Sequence, residues 1–341
     1  MKNPIVRLIL SLLIGALFVW LAFRATRWEE IQGAFGQVQV SAVFGYLALL
    51  SVIHLLRMVR WRVLLLPLAP VSLRDAFVVS NVGLLALMLL PLRLGEFVRP
   101  LLISERTKVK FSEALATIVI ERIGDSLSMA VLLAFMLLSL PSSGGHTAQL
   151  HLCSWVLMGV LIAGLLFLWL IHRFQEPAIG WLRHALGFFP EVLRERLVEA
   201  VRSFIRGLQA LPSIGALGLF ALLTLAYWGL NGLGYFFLFR GFAGLAGLGV
   251  WEAYTVLAVV CVGLIIPGGP GMIGNFHYFV KLGLSFFIGG DLLGSSGMAF
   301  AILLHGLGLL VHLAFGVPCL LALPNSLSRM IGLGPKAVVH S

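Results

Sequence analysis

A chain that repeats stretches of about twenty apolar residues along its whole length has few folds open to it. Such stretches occupy 4–23, 40–66, 113–140, 152–172, 214–239 and 297–323. A helix needs about 20 residues to cross a hydrocarbon core about 30 Å thick. Hydrophobic residues make up 60% of the chain and charged ones 11%, too few to cover a water-facing surface, for which about 25% is usual. The solvent must be largely hydrocarbon. The sequence therefore predicts an all-α membrane protein, one integral membrane domain over 1–341. The first stretch has no small-residue cleavage site after it, since Leu21-Ala22-Phe23-Arg24 follows, and reads as a retained helix.

Two further apolar stretches are interrupted. Residues 76–102 contain Pro91-Leu92-Arg93-Leu94-Gly95-Glu96, and 251–288 contain Pro267-Gly268-Gly269-Pro270-Gly271. Each reads as two short segments joined by helix breakers. The formal net charge of +10 sits in short connections. Lys2 and Arg7, Arg57 to Arg74, Arg106 to Lys110, the arginines of 173–206, and Arg329 with Lys336 all belong inside by the positive-inside rule. The loop 141–151, free of Lys and Arg, goes outside. Both ends of 76–102 then lie inside, and both ends of 251–288 outside. The sequence thus predicts six spanning helices plus two re-entrant hairpins, an inverted repeat with halves 1–140 and 152–323, of the kind secondary transporters use. Eight plain spans are the alternative. Both termini fall in the cytoplasm of a cell with an inner membrane. Residues 173–212 form a cytoplasmic linker with an amphipathic helix at 191–208, its apolar face Leu193, Leu197, Val201, Phe204 and Leu208. That helix lies either on the membrane surface or on its own protein.

Basic residues confined to connections leave no face for nucleic acid. Cys153, Cys261 and Cys319 lie in apolar runs without metal or disulfide spacing. No Walker A segment, GxSxG elbow, HExxH or calcium loop occurs, so no cofactor is expected.

Ionisable groups at membrane depth are costly and face a cavity or a partner. Three clusters meet that description. Arg93, Glu96 and Arg99 follow one another at three-residue steps and fit an anionic head group, since arginine grips phosphate bidentately. An interfacial salt bridge is the other reading. Glu121, Arg122 and Asp125 share a helix face. They fit a proton relay, or they neutralise Arg57, Arg60 or Arg62. The third cluster is the second loop, Pro267 to Gly274, with Asn275, His277 and Lys281. Its glycines allow close backbone approach, the helix after it opens amides toward an anion, and Lys281 pairs or binds phosphate. His54, His305 and His312 read as interhelical hydrogen-bonders, and Asn231 with Tyr227 as glue between helices.

Four motifs in order resemble the lysylphosphatidylglycerol synthase transmembrane-region family of flippase-like proteins. They are Arg60-Trp61-Arg62 with Leu64-Leu65; Leu90-Pro91-Leu92-Arg93-Leu94-Gly95-Glu96 with Arg99; Glu121-Arg122 with Asp125; and Ile266 through Gly274. The resemblance implies a bacterial or archaeal multi-pass protein acting on lipids. Some members carry a soluble aminoacyltransferase domain, for which 341 residues leave no room, so aminoacylation is not expected. Many members have a glutamate after the Pro/Gly loop, where Asn275-Phe276-His277 stands here. The sequence reading is a transporter or flippase for a lipid or lipid-linked anion, of anionic phospholipid or polyprenyl-phosphate type. Arg93, Arg99 and Arg60 would hold the head group, with Glu96 orienting them, and Asn275 and His277 would form the other gate. The alternatives are a membrane-embedded group transferase using a lipid-phosphate donor and a scaffold for lipid synthesis.

Overall fold

The computed structural model describes residues 4–24, 26, 28–139, 147–187, 189–209, 213–266 and 269–323. Lys2, residues 141–146, Pro267, Gly268, Arg329 and Lys336 lie outside them, as do the side chains of Pro91 and Arg93. No strand occurs among the described residues. The chain is an all-α membrane protein. Its helices are α1 (Pro4–Phe23), α2 (Trp28–Gly36), α3 (Val40–Leu65), α4 (Leu73–Leu89), α5 (Val98–Arg106), α6 (Phe111–Ser139), α7 (Thr147–Ala185), α8 (Glu191–Gln209), α9 (Ile214–Arg240), α10 (Val250–Gly263), α11 (Asn275–Leu284), the single turn α12 (Gly290–Leu292) and α13 (Met298–Leu321). Three described helices, Val40–Leu65, Ile214–Arg240 and Gly290–Leu321, are long and apolar enough to cross a membrane.

Both interrupted stretches fold back as helical hairpins. α4 starts on a Ser72 cap, whose hydroxyl accepts from the Asp75 N–H at 3.0 Å. It stops at Leu90, held extended (φ −87°, ψ 134°) ahead of Pro91, because a residue before proline disfavours the helical region. A 3-10 turn, Pro91–Phe97, then leads into α5. Its Gly95 lies against α4: a Cβ there would run into the backbone of Ala86 and Leu87. At the open end of the hairpin Arg106 pairs with Asp75 at 2.7 Å. The second hairpin pairs α10 with α11. Its tip turns through Gly271 (φ +67°), Met272 (φ +56°) and Gly274 (φ +85°), a left-handed path that favours glycine. The Asn275 amide ties the tip down by donating to the Ile266 carbonyl at 2.9 Å.

α3 and α9 run antiparallel through the centre. The start of α3 meets the end of α9, where the Gln39 N–H donates to the Gly241 carbonyl at 2.9 Å. The two hairpin tips touch. α13 lies along α4 of the first hairpin, and α6 contacts α10 of the second. α1 runs beside the second hairpin, held by Lys281 Nζ donating to the Ala22 carbonyl at 2.9 Å.

One helix boundary and one helix face differ from the sequence reading. The helix expected at 152–172 continues to Ala185, through what the sequence reads as linker, with a kink at Phe174 (φ −122°, ψ 24°). Pro177 explains the kink: it lacks an N–H and its ring crowds the carbonyl of Arg173, four residues back. The amphipathic helix α8 packs on α6 and α7. Val198 and Ile205 are buried against Ile179, Ser203 and Leu208 are buried as well, and Leu193, Leu197 and Val201 are exposed. Part of the expected apolar face is therefore exposed, and the buried side centres on Val198 and Ile205 at its edge.

Candidate functional site

Three helices and the first hairpin tip bring the charges together. α3 carries Arg57 and Arg60 one turn apart, α5 carries Arg99, α6 carries Glu121, Arg122 and Asp125, and the first tip carries Glu96. Arg60 is buried and donates to Asp125 Oδ1 at 2.6 Å and to Glu121 Oε1 at 2.9 Å. Arg99 donates to the other oxygen of Glu121 at 3.0 Å. Glu121, 1% exposed, thus bridges two guanidinium groups. Aromatic faces complete both cations: Arg99 lies 4.2 Å from the Trp61 ring centre and Arg60 lies 4.7 Å from that of Tyr227. Trp61 is itself fixed by its indole N–H donating to Thr117 at 3.0 Å, and Trp228 donates to Asp125 Oδ1 at 3.1 Å. Such a lattice holds because each buried charge keeps its partners; removing one leaves the other stranded.

A second tier is looser. Arg122 stands 3.8 Å from Glu96 and 3.7 Å from Asp125. Arg57 enters no ion pair among the described residues, and its Nε is buried without a hydrogen bond. Both Arg57 and Arg122 face a cavity of about 330 Å³ between α3, α6, α9 and the second hairpin. Asp125, Tyr227, Asn231 and His312 share its wall, and Met272 and Phe276 close it from the second tip. The cluster holds four arginines (57, 60, 99, 122) against three carboxylates (96, 121, 125). It is net positive before Arg93 is counted.

Of the first cluster, Arg99 turns to Glu121 and Glu96 stands 3.8 Å from Arg122, while Arg93's side chain lies outside the described set. Arg60 is committed to Glu121 and Asp125. Asn275 ties the second hairpin's tip to Ile266, and Lys281 ties that hairpin to Ala22 of α1. His277 accepts from the Gly274 N–H through Nδ1 at 3.3 Å and packs beside His305. His305 donates to the Gly271 carbonyl at 2.8 Å, and His54 bonds Asn81 across α3 and α4. His312, expected to bond between helices, instead bonds back to Gly308 of its own helix at 2.6 Å. Asn231 likewise bonds Tyr227 of its own helix at 2.7 Å and also lines the cavity. Apart from the positive-inside count, Arg57 enters the sequence reading only as one of three possible counter-charges for the Glu121 cluster. Its three-residue spacing from Arg60 inside an apolar run is the signal that marks it.

The family model for the lysylphosphatidylglycerol synthase TM region matches residues 8–316. The chain belongs to this family. Together with the apolar helices, membership makes it a multi-pass membrane protein associated with lipid. No curated protein and no solved structure matches it. The matched region contains every residue of the charged cluster and both hairpins. Among the described residues no cluster of His, Cys, Asp and Glu has the makings of a metal site.

Proposed function

We propose that the protein translocates a lipid with an anionic, phosphate-bearing head group across the inner membrane. The observation that carries this reading is the cavity where the hairpin tips meet, with Arg57 and Arg122 facing into it. The cluster's excess of one positive charge is costly at membrane depth, and an entering anion removes that cost. Arginine suits phosphate because its planar fork donates two parallel hydrogen bonds. Arg60 and Arg99 then act as scaffold, held by Glu121 and Asp125, while Arg57 and Arg122 meet the ligand. Arg93 belongs to the same proposed path, at the first tip.

The proposed topology is an inverted repeat with two re-entrant hairpins and both termini in the cytoplasm. The Asp75–Arg106 pair supports it for the first hairpin, since it holds both ends of 73–106 together. The exchange of neighbours, α13 on the first hairpin and α6 on the second, is what a two-fold relation between halves produces. Alternating access would rock the halves about the cavity.

Proteoliposomes carrying fluorescent phosphatidylglycerol, phosphatidylcholine or a polyprenyl phosphate test the reading. Protein-dependent movement of an anionic lipid, lost in Arg57→Ala, is the expected result. Equal movement with wild type and variant removes Arg57 from the path. No movement above empty liposomes for any lipid overturns transport in favour of group transfer or a scaffold, which a radiolabelled lipid-phosphate donor separates by covalent product.

A further inference from the structure

The charged cavity has an apolar neighbour. A groove of about 520 Å³ runs between α6 and α9, within the 300–1,000 Å³ range of ligand sites. Its floor includes Gly124, Ser128, Phe220 and Thr224, and Tyr254 of α10 stands at one end. Its hydroxyls are already used within their own helices: Ser128 donates to the Gly124 carbonyl at 3.0 Å and Thr224 to the Phe220 carbonyl at 2.7 Å. Tyr254 donates to the Gly229 carbonyl at 2.6 Å. No polar atom there asks for a polar ligand. The rim residues Leu127, Val131 and Leu225 are 47%, 59% and 64% exposed, so the groove opens sideways.

One residue joins the two spaces. Trp228 lines both the groove and the charged cavity, and its indole N–H is bonded to Asp125 on the cavity side. The ring is therefore a partition, apolar toward the groove and tethered to a carboxylate toward the arginines. The small side of the groove at Gly124 is what keeps it open: a Cβ there would stand 3.1 Å from the Phe220 ring.

We infer that the groove between α6 and α9 seats one hydrocarbon chain of the lipid whose anionic head group occupies the cavity behind Trp228. This rests on the transport reading above and names its substrate as a chain-bearing lipid rather than a free phosphate. Lipid tails are as apolar as the groove, so seating a chain adds little affinity. What it supplies is register, holding the head group level with Arg57 and Arg122. The chain stays in contact with the bilayer while only the head crosses the polar path.

The test uses purified full-length protein in liposomes with phosphatidylglycerol carrying a diazirine in one acyl chain. Photolysis is expected to label 124–132 and 217–229 above the outward face of α7 at Leu166 and Trp169, which is also exposed. Unlabelled phosphatidylglycerol should compete, and glycerol phosphate in the lumen and outside should not. Two groove-filling variants, Ser128→Phe and Leu225→Trp, should each lower translocation about tenfold; Leu225 faces outward, so its variant spares the packed core. The inference is overturned if groove labelling does not exceed that of α7, or if both variants fold and move lipid like wild type while Arg57→Ala does not. In the second case the transport reading stands and the groove falls. Groove labelling with no lipid movement in any protein reverses that: the chain site stands and the transport reading falls.

Discussion

Arg60 and Arg57 are a turn apart on α3, yet their substitution should have opposite consequences. Arg60→Ala strands Glu121 and Asp125 in a buried setting and should cost about 3–5 kcal/mol, the usual price of breaking one side of a buried pair. Arg57 makes no salt bridge among the described residues, so Arg57→Ala should change stability by less than about 1 kcal/mol and lower lipid translocation instead. Thermal unfolding of the two variants in detergent, beside the liposome assay, checks both directions. Similar loss of stability in the two would mean that Arg57 is structural. The sequence made half of this legible. Glu121 and Asp125, four residues apart in an apolar run, announce a shared face and a need for cations, and Arg60 was among the candidates. The roles of Tyr227 and Trp228 were not legible, because they depend on α9 crossing α3 and α6, a contact between residues more than a hundred positions apart.

The hairpins turn on glycines that have no room for a methyl group. Gly95→Ala would press into the backbone of α4 and should cost about 1–3 kcal/mol as overpacking. Gly274→Ala meets both a positive φ and the backbone of Val19, adding strain of about 1–3 kcal/mol. Gly33→Ala and Gly306→Ala, where nothing lies within 4 Å, are the controls and should be near neutral or better. Unfolding midpoints in detergent rank the four; a Gly95 variant as stable as its controls would deny the tight tip. The surface helix α8 carries a pH dependence. Hydrogen bonds from Arg206, then Lys110, hold the Glu199 carboxyl down at about 2, against an ordinary value of about 4.3. A depressed carboxylate stabilises the folded arrangement above its ordinary value and loses that contribution as pH falls toward 2. Each pair is half exposed and, discounted for solvent screening, worth under about 1 kcal/mol, with Val198 and Ile205 holding most of the helix in place. A spin label at Arg196 should therefore gain mobility modestly between pH 5 and pH 2, and Glu199→Gln should show that mobility at pH 7. The breaks at Pro91 and around Pro270 were legible in sequence because proline acts locally. The continuation of α7 past residue 172 was not: Pro177 and nearby charges resemble a stop, but a kink absorbs them.

The architecture makes a prediction about sides. Arg106 and Asp75 close the base of the first hairpin at the end where α3 finishes and α6 begins, and Lys110 there reaches Glu199 of α8. The other end holds the start of α3, the 241–249 turn after α9 and the base of the second hairpin. If the hairpins enter from opposite faces, cysteines placed at Leu68 and Lys108 must be labelled from the same side, and one at Gly247 from the opposite side. The native cysteines 153, 261 and 319 would first be replaced. In intact cells with a permeable outer layer, an impermeant maleimide should reach position 247 only, and positions 68 and 108 only after lysis. Eight plain spans place 68 and 108 on opposite sides, since the broken stretch between them then crosses once. That outcome would contradict the Asp75–Arg106 pair as well as the repeat, because one ion pair cannot bridge two faces of a bilayer about 30 Å thick. The positive-inside count proposes this arrangement from charge, and the Asp75–Arg106 contact, 31 residues apart in sequence, supports only the folding back of the first hairpin. Labelling at positions 68 and 108 therefore tests the first hairpin, and labelling at 247 tests the side proposed for the second.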